Sequence, residues 1–197
     1  ESFDIKADKN KLFSTLYQKA MEGDKDCGGM IACNYYSGEP VTGLEEGRPM
    51  FLRRPDSHLG LANFMRSHLY ASLATLKIGL DILLKEEDVK IDSITGHGGL
   101  FKTKGVGQSI LAAAMNAPIS VMETAGEGGA WGMALLAAYM LSKKDGQSLG
   151  DYLDSRVFAE RKSETMEPDP SDVAGFETYT KQYQACLAAE KAAVQAF

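Results

Sequence analysis

The spacing of apolar side chains changes several times along this chain, and each change marks an element. Leu12, Phe13, Leu16, Tyr17 and Ala20 recur at three- and four-residue steps, which predicts a short amphipathic helix from Lys9 to Met21, stopped at Gly23. Gly29 to Tyr36 is short, apolar and bounded by glycines, as a buried strand would be, and runs into the turn Ser37-Gly38-Glu39-Pro40. Beyond the charged loop Glu45-Glu46-Gly47-Arg48-Pro49, Met50 to Arg53 reads as a second strand. Leu61, Met65, Leu69, Leu73, Leu76, Leu80 and Leu83 then keep helical spacing, predicting a long, well-buried helix from about Ser57 to Leu84, capped by Asp56 or Ser57.

After the charged break Lys85 to Lys90, the pattern alternates. Ile91 to Thr95 is strand-like, Val106 to Met115 helix-like, and Ile119 to Met122 strand-like behind Pro118. Ala130 to Leu141 is alanine-rich and apolar all round, as expected of a helix packed tightly on a sheet, with Trp131 in the core. Residues 150–170 are polar and proline-bearing, hence surface loop. Phe176, Tyr179, Tyr183, Leu187 and Ala188 predict one closing helix from Ser171 to Phe197, with Glu190 and Lys191 solvated. The expectation is a single α/β domain.

Composition narrows the chemistry. Hydrophobic content of 44% and charged content of 24% argue against disorder, and a net charge of −6 supplies no basic field for nucleic acid or an anionic membrane. Cys27, Cys33 and Cys186 have no CxxC spacing and an odd count, which fits a reducing compartment. No apolar run reaches the roughly 18 residues of a membrane span, and the first residues are polar. A cytoplasmic protein is expected. The chain opens on Glu1 and not on methionine, so the further expectation is a piece of a longer protein. His58, His68 and His97 show no metal-ligand spacing.

Two glycine clusters carry the candidate chemistry. Thr95-Gly96-His97-Gly98-Gly99-Leu100-Phe101-Lys102 joins a strand to a helix, and Gly126-Glu127-Gly128-Gly129 does so again. Glycine has no Cβ and tolerates positive φ, so backbone in such turns can approach a ligand closely. The first cluster is not the dinucleotide fingerprint, lacking its third glycine, nor a phosphate-cradling Walker loop, whose first glycine would fall at His97. Taken alone, each cluster is equally a tight packing turn. Together, at neighbouring strand ends, they can wall one crevice. Glu127, at a helix start, is stabilised there by the helix dipole.

The order of these pieces resembles the C-terminal ATPase domain of the FGGY carbohydrate kinases, over roughly residues 29–141. Thr95-Gly96-His97-Gly98-Gly99, the helix with Ile110-Leu111-Ala112, the Pro118 strand and Glu127-Gly128-Gly129-Ala130-Trp131-Gly132-Met133-Ala134 carry it, with Tyr36-Ser37-Gly38-Glu39, the Gly47 loop and Arg66 upstream. The long acidic tail resembles that of ribulokinase-like and xylulokinase-like members. Departures are His97 within the glycine run, extra residues between Lys102 and Gly107, and Tyr70 where an acidic residue is common.

The resemblance implies an α/β, helix-rich, N-terminally truncated ribonuclease H-like domain of the actin and hexokinase type. It implies ATP or ADP as ligand, magnesium carried on the nucleotide, and a sugar held through an absent N-terminal domain that also carries the base. It further implies a glycine-threonine phosphate loop, and no Gly-Thr pair occurs in this sequence. Gly98 and Gly99 would turn against adenine and ribose, with Gly96 supporting the bend. Lys102 either faces phosphate or is solvated; Gly128 and Gly129 either line the other wall of the adenine slot or pack helix on sheet. Ser37, Gly38 and Glu39 belong to a loop that the resemblance places toward the interdomain cleft, or else form a surface turn. No catalytic residue and no metal ligand is expected in this chain, and a homodimer is possible. The rival is a non-catalytic small-ligand-binding or assembly module.

Overall fold

A computed structural model describes residue 6 and residues 8–122, 126, 128–159 and 163–196. The chain opens with α1 (Lys9–Ala20), whose first turn is capped by the Asp8 carboxylate, which accepts a hydrogen bond from the Lys11 amide at 3.0 Å. The strands β1 (Met30–Cys33) and β2 (Met50–Arg53) pair antiparallel, Met30 opposite Arg53 and Cys33 opposite Met50. A 25-residue helix, α2 (Leu61–Lys85), follows. Next come β3 (Ile94–Gly96), α3 (Val106–Met115) and β4 (Ile119–Met122), a crossover that sets β4 parallel to β3 with Ile94 opposite Ile119. Two helices, α4 (Gly128–Ser142) and α5 (Leu149–Tyr152), lead to β5 (Ser163–Met166), which pairs antiparallel with β4. The chain closes with α6 (Pro170–Ala196).

The core lies where α2, α3 and α6 meet β1, with Leu69, Leu73, Ile110, Phe176 and Tyr179 all buried. At its centre sits Arg66, fully buried. Its guanidinium donates to the Tyr70 hydroxyl at 2.8 and 3.1 Å and pairs with the Asp172 carboxylate of α6. It also reaches the Met21 and Gly23 carbonyls at the end of α1, both at 3.4 Å. A buried guanidinium is tolerable only with such a complete set of partners.

Several expectations need correction. The long helix starts at Leu61 behind Gly60, which offers no side-chain cap; Ser57 instead donates its hydroxyl to the Gly29 carbonyl at 2.8 Å. Burial of α2 stops near Ala74, and Leu76 is 50% exposed. Residues 150–170 are not plain loop: they hold a turn of π-helix (Leu153–Val157) and β5. The helix α4 is not packed on a sheet. None of its residues is buried, and Trp131 is only half-buried, set edge-on to Phe158.

Candidate functional site

The glycine loops leave the carboxyl ends of the parallel pair β3 and β4, the place where open α/β sheets bind ligands. Gly96 ends β3 and is buried; a Cβ there would stand 2.4 Å from the Phe101 ring, so this glycine serves packing. Gly98 differs. Its φ of 108° and ψ of −175° are a conformation open essentially to glycine alone. Above both Gly98 and Gly99 a Cβ would meet nothing within 4 Å. A short 3-10 turn, Gly99–Lys102, leads to Gly105, whose φ of 81° opens α3 with no side-chain cap.

The second loop faces the first. A Cβ on Gly126 would lie 3.2 Å from Cγ of Lys102, and one on Gly128 would lie 3.0 Å from Nδ1 of His97. Above Gly129 the space is open. The two loops are therefore interleaved by the side chains of Lys102 and His97, and they share one crevice. Glu127 lies outside the described residues. Lys102 also lines a cavity of about 530 Å³, with Thr103, Gly105, Gln108, Val121 and Ser163 among its walls.

The loop of Ser37, Gly38 and Glu39 is held elsewhere. A Cβ on Gly38 would stand 2.3 Å from the Glu45 carbonyl oxygen, and the Glu39 carboxylate accepts from the Val41 amide at 3.0 Å, capping a short 3-10 turn. Ser37 is exposed. Val41 lies against Gly79 of α2, and the Arg48 amide donates to Oε1 of Glu190 in α6 at 2.6 Å. Glu190 is fully buried, and its Oε2 is the one buried side-chain polar atom among the described residues without a hydrogen-bond partner.

The remaining titratable groups read as structural. Burial pushes the Cys33 thiol up to about 12 and raises the Cys27 thiol further, so neither offers a thiolate nucleophile. The Asp24 carboxyl is held below its usual range, chiefly by the hydrogen bond from Asn63 and then by His58, 3.0 Å away. Among the described residues no group of three or more His, Cys, Asp or Glu could hold a metal ion, and no helix is long and apolar enough to cross a membrane.

Gln108 and Asp172 were missed by sequence reasoning, and Glu190, expected to be solvated, is instead fully buried, its Oε1 accepting from the Arg48 amide. Gln108 left a signal, as the one amide inside the otherwise small and apolar run Val106–Met115; the other two sit on the polar periodicity of α6 and left none.

Comparison with known proteins bears on the family and the fold. Residues 2–141 match the family model described as the FGGY family of carbohydrate kinases, C-terminal domain. No curated protein sequence matches the chain. Among solved structures, a xylulose kinase from Rhodospirillum rubrum superposes with a TM-score of 0.65 at 19% identity over 92% of this chain. A ligand-bound xylulose kinase from Lactobacillus acidophilus gives 0.67 at 19% identity over 89%. Plasmodium falciparum glycerol kinase with ADP gives 0.62 at 16% over 90%. The chain spans only 34%, 35% and 33% of those three chains, respectively. These likenesses establish the fold, that of the actin and hexokinase ATPases. With the family model matching well over half of its length, the chain belongs to the FGGY family of carbohydrate kinases.

Proposed function

We propose that this chain is the nucleotide-binding part of an ATP-dependent carbohydrate kinase acting on a pentulose, xylulose or ribulose. The observation that carries the proposal is the facing pair of glycine loops at the carboxyl ends of β3 and β4, with open space above Gly98, Gly99 and Gly129. In this reading the backbone at Gly98 and Gly99 lies against adenosine, Gly128 and Gly129 form the opposite wall, and Lys102 at the loop junction brings positive charge toward the phosphates. Magnesium would neutralise charge on the phosphates and arrive bound to them. The γ-phosphoryl would pass to a sugar hydroxyl by positioning and charge stabilisation. The base and the sugar contacts would come from outside these 197 residues, and Ser37, Gly38 and Glu39 would border the cleft between the parts. The chain by itself should be catalytically silent.

Titration with ADP and with xylulose separates this from a non-catalytic module. The kinase reading expects saturable ADP binding and none to xylulose alone; preference for the sugar, or no response to ADP, would contradict it.

A further inference from the structure

Oε2 of Glu190 is buried without a hydrogen-bond partner, while Oε1 of the same carboxylate accepts from the backbone amide of Arg48 at 2.6 Å. A buried carboxylate oxygen left in that state is costly and calls for a donor. Lys191, next along α6, is turned to the loop, its Nζ 3.8 Å from where a Cβ on Gly43 would stand. Cys33 of β1 senses the carboxylate, but as a thiol it offers only a weak donor. The remaining cation is Arg48 itself. Its guanidinium is engaged elsewhere, by the Gly47 carbonyl at 2.9 Å and by Glu46 in a 2.9 Å ion pair. Glu46 is largely exposed, and a pair of that kind is worth little.

We propose that Arg48 is a two-position switch: its guanidinium exchanges Glu46 for Oε2 of Glu190, and the strap of residues 44–48 shifts against α6 with it. The amide of Arg48 already docks on Oε1, so the side chain has only to fold back over the same carboxylate, completing the two-oxygen pairing that guanidinium groups favour. The carboxylate is desolvated in both arrangements, so only the partly exposed guanidinium loses water in the exchange. The two states therefore lie close in free energy. Gly43, with a φ of 66°, supplies a backbone joint at the start of the strap. Gly38 abuts the Glu45 carbonyl, so a displacement of the strap reaches residues 37–39. The kinase reading sets those residues at the cleft; that significance rests on it, and the exchange itself does not. Glu190 lies beyond the matched residues 2–141, so the device falls outside what the family model describes.

The test is NMR relaxation dispersion on the nucleotide-free chain, read at the backbone amides of Gly43, Gly47 and Arg48 and at the Arg48 Nε–Hε group. These signals should share one exchange process. Glu46→Gln removes the outer partner and should raise the inner population about twofold to fivefold. Arg48→Met removes the guanidinium but keeps the amide on Oε1, and it should abolish the process. Glu190→Gln keeps an acceptor for that amide without the charge and should abolish it as well; if this variant does not fold, Arg48→Met decides. The proposal is overturned by no exchange in either the unmodified chain or Glu46→Gln, or by exchange that survives Arg48→Met. A Glu190 carboxyl carbon with the chemical shift of a neutral acid at neutral pH would overturn it too, since no cation is then called for. None of these outcomes touches ADP binding, so the nucleotide reading stands or falls by its own titration.

Discussion

The helices α3 and α4 both follow glycine loops and both are strongly apolar, yet their fates are opposite. Nine residues of α3 are buried; none of α4 is. α3 is gripped by α2, α6 and β4. Tyr139 and Trp131 of α4 set their rings against Tyr152 and Phe158, while Met133, Met140 and Leu141 are 68%, 77% and 91% exposed. An apolar helix announces that it should be covered but does not name its cover. For α3 the cover is α6, about 60 residues further on.

This contrast is open to direct challenge. The largest effect is expected at the buried charge pair in the core: Arg66→Ala removes the guanidinium from Tyr70 and Asp172, leaving the carboxylate only Lys25, 2.7 Å away, and should cost about 3 kcal/mol by denaturant unfolding. A cost below about 1 kcal/mol would mean the pair is solvated in solution. Next, Ile110→Ala in α3 should cost about 2–5 kcal/mol, whereas Met140→Ala in α4 should stay within about 0.5 kcal/mol. Comparable losses at both sites would show α4 to be covered in solution.

Smaller still in its effect on stability is Gly99→Val, at the loop leading into α3. Nothing stands within 4 Å of a Cβ there, so the fold should be kept while ADP affinity drops at least about tenfold. Unchanged ADP affinity in a folded variant would remove the loop from the site. The smallest effect lies far from both helices. Asp24 is held below its ordinary 3.8 by Asn63 and His58; Asp81 is held down by Lys77 and Lys85 against the opposing pull of burial. A lowered folded value stabilises above the unfolded value of 3.8 and is lost as the pH falls through the folded one. The acid limb of stability should therefore begin below about pH 4, and Asp24→Asn should flatten it. An acid limb identical to that of the unmodified chain would contradict this.

What was legible in the residues follows the same division. Local periodicity placed β2, α3 and β4 at their observed bounds and α6 within a residue, because each has a bounded apolar run or a clean helical stripe. Both glycine loops were legible too, since their spacing between strand and helix is itself the feature. What escaped depends on distant partners: the solvent-facing second half of α2, the uncovered α4, and β5, whose polar residues form a strand only because β4 offers an edge. At the site, Gln108 matters through carbonyls 11 and 56 residues away, a relation no local pattern carries.

The most direct test of the central claim is a structure of this chain determined with ADP bound. The account predicts the adenosine between Gly98–Gly99 and Gly128–Gly129, with the phosphates toward Lys102. ADP bound against the loop of residues 37–48, or along the exposed face of α4, would contradict it.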